Sequence, residues 1–276
     1  IIAMLVNASH NIIDGIYLGN LVGGNALAVT AVTMPIQMIF MAIGTMAPLG
    51  AASMVSMKLG SKRQGAIHTI VFTSILGAIG LSAAIFILGT IFANGILFVS
   101  GGQGELFAAS KTYYTSTLIG WLFMPLSILG NNLLRTVGEA KKASWLMLVS
   151  VLVNLVMTPV FILVFDLGIW GAGLATSLAQ FVSFLVMLYY FLVLKLPFYL
   201  PLRKVRFNYS YFQRMNLLGF SSFLRQGLNS MASILVNNLF FVYGGVAALN
   251  AIGIILKLNS FLLLPLFGLL HGLQPI

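Results

Sequence analysis

The sequence predicts an all-α, polytopic membrane protein whose helices form a bundle of two pseudo-repeated six-helix lobes. Three observations support this prediction. Hydrophobic residues make up 60% of the 276-residue chain and charged residues only 7%, whereas soluble domains carry about 25% charged residues. The apolar residues form runs of about 20 residues or more, the length at which a helix spans a bilayer. Basic residues cluster in alternate connections between these runs.

Eight apolar runs are long enough to cross a membrane as helices: about 1–21, 31–57, 67–97, 113–134, 145–165, 169–194, 217–243 and 247–276. Their continuous hydrophobicity favours helices over barrel strands, in which apolar residues alternate over about ten positions. We therefore predict a nearly complete first lobe at 1–194, a cytoplasmic linker at 195–215 and the first two helices of a second lobe at 216–276. Because the chain starts with Ile and stops within an apolar run, we expect a fragment of a longer protein.

The seventh run carries polar residues at helical spacing: Ser222, Gln226, Asn229, Ser233 and Asn237. Steps of three and four residues place side chains on one face of a helix. The first run has a similar polar face, so the pattern favours a parallel repeat of two lobes.

The net charge of +10 does not indicate a nucleic-acid ligand, because most of the basic residues cluster in connections between apolar runs. Lys62, Lys141 and Arg203 mark three such connections, each separated from the next by two runs. Basic residues in every second loop are the positive-inside pattern. We expect these three loops to lie in the cytoplasm of a cell with the protein in its plasma membrane. The chain contains no cysteine, which excludes disulfides and thiol catalysis.

Asp14 lies within the first apolar run and is one of only four acidic residues in the chain. A carboxylate at the bilayer centre costs about 2.5–3.5 kcal/mol on insertion scales, so such residues are rare and usually functional. Asn7, Asn11 and Asp14 follow at steps of four and three, on one helix face, with His10 beside them. We predict that this face lines a polar cavity where Asp14 couples ion movement to transport. The alternative is a structural acid bonded to a neighbouring helix.

Several segments stand in a specific order and spacing along the chain: Asn11–Gly19, Leu21–Ala28, Leu49–Gly60, Asn131–Lys141, Asn154–Thr176 and Leu264–Pro275. Together they resemble the multidrug and toxic compound extrusion (MATE) transporters, over nearly the whole chain. The resemblance implies a twelve-helix, two-lobed antiporter that needs no cofactor and exports organic compounds in exchange for H⁺ or Na⁺.

The resemblance also places Asn154 and Thr176 near Asp14. Thr158 follows Asn154 by one helical turn, and Gln180 follows Thr176 by one turn. Oxygen atoms from these side chains suit either a protonated carboxyl or Na⁺, whose site would be Asp14, Asn154 and Thr176. Many members have an acid where Thr158 stands here, so proton coupling through one carboxylate is favoured. The alternative role is packing between helices, which is common for Asn and Thr in membranes.

Two roles stay open for His10: it relays a proton or tunes the pKa of Asp14, or it only lines the cavity or packs. Asn7 belongs to the same predicted ion-coupling and substrate site. We expect no firm metal site, because no pair of histidines has metal-ligand spacing.

The sequence therefore predicts a secondary active antiporter that exports small, amphipathic, cationic organic compounds and works as a monomer in the lipid bilayer. The alternative from the same superfamily is a flippase for lipid-linked oligosaccharides. A flippase needs a cation-rich cavity, but the basic residues of the first six runs lie near their ends, with Lys111 the doubtful case. A membrane enzyme is disfavoured because the chain contains no HExxH, GxSxG or acid–histidine cluster.

Overall fold

The computed structural model describes residues 13–23, 25–61, 65–193 and 206–273, without the side chains of residue 257 and residues 260–273. Within these ranges the regular structure is entirely helical, which confirms the predicted fold class. Residues 13–17 are α-helical and continue as a π-helix, Leu18–Val22. The α-helices that follow are α1 (Ala26–Gly60), α2 (Gly65–Ile91), α3 (Ala93–Val99), α4 (Leu106–Leu118), α5 (Met124–Thr136), α6 (Ala140–Pro159), α7 (Gly168–Leu192) and α8 (Tyr209–Leu273).

Five helical stretches in the described ranges are long and apolar enough to cross a membrane: Ala26–Gly60, Gly65–Ile91, Ala140–Val164, Gly168–Leu192 and Tyr209–Leu256. The bent pair α4–α5 provides a sixth if it is counted as one span. These stretches match the second to seventh predicted runs. Most of the first predicted run lies outside the described residues, and the eighth run continues the seventh within α8.

The regular helices are interrupted at three places, two of them at a proline and one at a glycine. A short 3₁₀ turn and Phe123 separate α4 from α5, with a bend of 45° just before Pro125. The last turn of α6 changes at Pro159 into a π-helix, Val160–Val164. Gly245 breaks α8 with φ 60° and ψ −152°, a conformation that only glycine adopts readily. Proline lacks the N–H that a helix interior needs, which explains the first two interruptions.

Helix α8 begins at Tyr209, eight residues before the run that hydropathy identifies at 217–243. Asn208 caps it, because its side-chain carbonyl accepts a hydrogen bond of 3.1 Å from the Tyr211 N–H. The backbone N–H of Asn208 donates in turn to the Thr73 hydroxyl on α2 at 3.1 Å. The predicted linker, 195–215, therefore includes the first helical turns of α8 and is anchored to α2.

Helix α1 is the central helix and packs on α2, α4, α5 and α8. It lies antiparallel to α8, since Gly50 meets the Met215 backbone and Gly219 meets the Met46 backbone. A Cβ on either glycine would overlap the facing carbonyl oxygen. The two helix backbones are therefore in contact at positions about one turn apart, and this contact holds α8 against α1.

Two apolar clusters fill the bundle, one toward each end. The first includes Met54, Ile70 and Leu133 and lies near the turns where the basic residues collect. The second includes Leu97 and Leu106 at the opposite end. Polar side chains from α6 and α7 form a hydrogen-bonded group within the bundle.

Candidate ion-coupling and substrate site

Asn154 and Thr158 on α6 lie against Thr176 on α7. The Asn154 amide Nδ2 donates to the Thr176 hydroxyl at 3.2 Å. The Thr158 hydroxyl is 2.8 Å from the Asn154 backbone carbonyl and 3.3 Å from its side-chain Oδ1. Asn154 and Thr158 are buried, at 5% and 1% exposure. The three residues that the sequence predicts as neighbours are thus in hydrogen-bond contact.

Tyr113 on α4 extends this group toward Asp14. Its hydroxyl lies beside the side chains of Gln37 and Thr176, and Asp14 is near enough to interact with it electrostatically. Tyr113 is 7% exposed. The Tyr113 hydroxyl therefore lies where α1, α4 and α7 meet, close to both Thr176 and Asp14.

Asp14 is half-buried on the helical stretch that precedes the π-helix. Asn7, His10 and Asn11 lie outside the described residues. Asp14 is therefore the one residue of the predicted polar face whose position the structure describes. The structure brings Asn154 and Thr176 together, and Tyr113 links Thr176 to Asp14.

A cavity of about 380 Å³ opens beside this group between α1, α5, α6 and α7. Its lining includes the polar residues Asn154, Thr176 and Gln180 and the apolar residues Met41 and Met147. Gln180 therefore faces the same cavity as the predicted site residues. Thr158 does not line the cavity and supports Asn154 from behind. None of the described residues that line the cavity carries a charge.

The positively charged side chain of Arg135 lies at the edge of this cavity. The Arg135 Nε donates to the Asn131 Oδ1 at 2.9 Å, and the Asn131 Nδ2 donates to the Ala143 carbonyl at 2.8 Å. Asn131 itself lines the cavity, while Arg135 is exposed. Arg135 is therefore bonded to a lining residue but does not itself line the cavity.

Tyr113 and Gln37 are not among the site residues that the sequence predicts. Gln37 is an amide in the middle of an apolar run, two residues after Pro35, and such a residue in a membrane helix is a signal for a polar site. Tyr113 gives a weaker signal, because tyrosine is also common at the ends of membrane helices.

The donor atoms of this group are amide, hydroxyl and phenol oxygens with one nearby carboxylate. In the described residues no three His, Cys, Asp or Glu side chains converge as a metal site. Neutral oxygen donors suit a weakly held monovalent cation or a proton on Asp14 better than a transition metal.

Comparison with known proteins decides the family. The MatE family model matches residues 1–160, more than half of the chain. The chain belongs to the MATE family. Multidrug export protein MepA of Staphylococcus aureus is 26% identical over 275 residues, covering 100% of this chain and 61% of the relative. MepA of Staphylococcus saprophyticus is 28% identical over 276 residues, with the same coverage. The chain thus spans 61% of the length of these curated relatives.

Solved MATE structures share the fold. The MATE multidrug transporter DinF-BH, solved as a complex with a ligand, superimposes with a TM-score of 0.92 at 26% identity, covering 99% of this chain and 61% of that one. An inward-facing MATE transporter of the MOP superfamily gives a TM-score of 0.87 at 23% identity, over 96% of this chain and 60% of that one. These matches confirm the family resemblance and a multi-pass membrane fold. The relatives are export proteins, not enzymes.

Proposed function

We propose that the protein to which this chain belongs is a secondary active antiporter that exports organic compounds in exchange for H⁺ or Na⁺. The observation that carries the proposal is the polar group of Thr158, Asn154 and Thr176, with Tyr113 beside it. Asn154 and Thr176 line an uncharged cavity, and Tyr113 is near enough to Asp14 for an electrostatic interaction. Such an arrangement joins an ion-binding carboxylate to a space of molecular size. Relatives named multidrug export protein and a multidrug transporter solved with a bound ligand support the same class of activity.

The cavity favours an amphipathic, cationic compound. Met41, Met124 and Met147 provide soft, adaptable apolar surface, and Asn132 and Gln180 provide amide groups for orientation. A ligand with a diffuse positive charge loses little hydration here and gains attraction to ionised Asp14. A lipid-linked pyrophosphate has no cation to meet among the described lining residues, which disfavours the flippase alternative.

Coupling follows from competition at Asp14. An organic cation binds best while the carboxylate is ionised, and a proton that arrives from the far side neutralises it and weakens the attraction. Because the two ligands favour different states, each drives the release of the other. The presence of Thr158 in place of a second acid favours H⁺ over Na⁺, since one carboxylate with neutral oxygens gives a low-charge site.

The organisation of the protein is part of this proposal. We place the first lobe at 1–194, the linker at 195–215 and the start of the second lobe at 216–276. The loops near Lys62, Lys141 and Arg203 face the cytoplasm, and the transporter works as a monomer. The basic loops and the alternation of the spans support this orientation.

Transport into inverted vesicles tests the proposal. The full-length protein is assayed with an acid interior and a fluorescent organic cation, and the Asp14→Asn variant is compared with the wild type. Gradient-driven uptake that is lost in Asp14→Asn is the expected result. Uptake that persists unchanged in Asp14→Asn would disprove the coupling role of Asp14. Uptake driven by Na⁺ alone would assign Na⁺ as the coupling ion, and no uptake under either gradient would favour the flippase.

A further inference from the structure

A second cavity lies at the junction of α1 and α8, at the end of the bundle where the basic residues collect. Its volume is about 610 Å³, and it is lined by the end of α1 and the start of α8. The lining residues are Met54, Met57, Lys58, Ser61, Arg214, Leu217 and Leu218. It is separate from the transport cavity, with which it shares no lining residue.

The charges in this cavity are unbalanced. Lys58 and Arg214 come from different helices and line the same space. The chain has only four acidic residues, Asp14, Glu105, Glu139 and Asp166, and none of them lines this cavity. The ion pair found within the described ranges is Lys142 with Glu139, at 2.8 Å. Two cations therefore face one cavity without a carboxylate among its lining residues.

The rest of the wall is apolar and faces outward. Met57 is 58% exposed, Leu217 76% and Leu218 45%, while Met54 forms a buried floor. On a helix that crosses a membrane, such side chains contact lipid chains rather than water. The cavity thus combines a cationic rim with an apolar wall at the level where the helices end.

We propose that this cavity binds the phosphate of an anionic phospholipid, with phosphatidylglycerol as the model ligand. Lys58 and Arg214 contact the phosphate, and Met57, Leu217 and Leu218 contact the first methylene groups of the acyl chains. A zwitterionic lipid fits less well, because its headgroup cation meets two positive side chains and no acid. A soluble phosphate fits less well, because it leaves the apolar wall uncovered.

The position gives the lipid a structural consequence. The cavity borders the contact at which Gly50 meets the Met215 backbone and Gly219 meets the Met46 backbone. A bound lipid bridges α1 and α8 beside this contact and stabilises their junction. The inference concerns lipid binding and does not depend on the transport activity proposed above.

Native mass spectrometry of the purified full-length protein with added phosphatidylglycerol tests the site. The variants are Lys58→Gln/Arg214→Gln and the charge-keeping Lys58→Arg/Arg214→Lys. Lys141→Gln is the matched control, since it removes one exposed lysine from another turn at the same end of the bundle. We expect affinity to fall by about fivefold for each cation removed. The charge-keeping variant and Lys141→Gln should retain wild-type affinity.

Several outcomes would overturn the proposal. Wild-type affinity in the double glutamine variant would show that the two cations do not hold the lipid, and an equal loss in Lys141→Gln would indicate a non-specific basic surface. Two further measurements distinguish an anionic phospholipid from the other possible ligands. Competition by soluble glycerol phosphate at equal concentration would assign the site to a free anion, and equal affinity for phosphatidylcholine would exclude selection for negative charge.

Discussion

Asn237 on α8 donates a hydrogen bond of 2.7 Å to the backbone carbonyl of Ala31 on α1. This carbonyl lies four residues before Pro35, whose ring nitrogen has no hydrogen to donate to it. In the interior of a membrane, an unpaired carbonyl costs several kcal/mol, because water is absent. The Ser230 hydroxyl donates to the Pro35 carbonyl itself, at 2.6 Å. Helix α8 therefore supplies the hydrogen bond that proline removes from α1.

The substitution Asn237→Leu is expected to destabilise the protein by about 1–3 kcal/mol, because it leaves the Ala31 carbonyl without a donor. The free energy of unfolding is measured by denaturation in mixed micelles. Asn229→Leu is the matched control, since Asn229 is exposed on the same helix and the change should have little effect.

A double-mutant cycle isolates the role of proline. Pro35→Ala restores the N–H that bonds the Ala31 carbonyl within α1. Asn237→Leu should then cost less in the Pro35→Ala background than in the wild type. Equal costs in the two backgrounds would mean that Asn237 stabilises the protein by another route.

The helices and part of the site could be predicted from the sequence, because both depend on local patterns. Apolar runs of membrane length identify the spans, and steps of one helical turn pair Asn154 with Thr158. The family resemblance places Asn154 and Thr176 near Asp14, and in the structure the Asn154 amide donates to the Thr176 hydroxyl at 3.2 Å.

The contribution of Tyr113 depends on packing that no local pattern records. Helices α4 and α7 approach closely at Gly173, where a Cβ would lie 3.0 Å from the Tyr113 carbonyl oxygen. This close approach, together with the hydrogen bond from the Ser177 hydroxyl to the Ser116 carbonyl, holds α4 against α7 near Tyr113 and Thr176. The polar side chains of α8 also could not be assigned from spacing alone. Within the predicted polar face, Asn237 is buried against α1 but Asn229 is exposed. Ser230 is buried although it is not part of that predicted face. The path of the α1 backbone decides which are buried.

The absence of native cysteine allows the orientation to be tested by single-cysteine labelling. Ser61→Cys marks the end of α1 and Glu105→Cys the start of α4, two exposed positions separated by one membrane crossing. A membrane-impermeant maleimide applied to intact cells should label Glu105→Cys, and Ser61→Cys should react only after permeabilisation. Labelling of Ser61→Cys in intact cells would reverse the proposed orientation.

Thr158→Asp is expected to shift coupling toward Na⁺. The new carboxylate stands next to Asn154 and adds a negative charge to a group of neutral oxygens, which should lower the Na⁺ concentration for half-maximal transport by about tenfold. Thr158→Val removes the hydroxyl without adding charge, so it should not lower the Na⁺ concentration for half-maximal transport. Size-exclusion profiles of both variants check folding, because Thr158 is 1% exposed. An unchanged Na⁺ response in a folded Thr158→Asp protein would separate this position from the coupling site.

Tyr113→Phe tests the link between Asp14 and the cavity. The change keeps the ring and removes the hydroxyl, which lies beside the side chains of Gln37 and Thr176 and interacts electrostatically with Asp14. Loss of this hydroxyl should slow proton-driven transport roughly tenfold and alter its pH dependence. Tyr114→Phe is the matched control: its hydroxyl donates to the Gly89 carbonyl at 2.8 Å, away from the site. Because that bond joins α4 to α2, Tyr114→Phe should lower thermal stability and leave the pH dependence of transport intact. The same pH profile in Tyr113→Phe as in the wild type would show that Asp14 couples to the cavity without this hydroxyl.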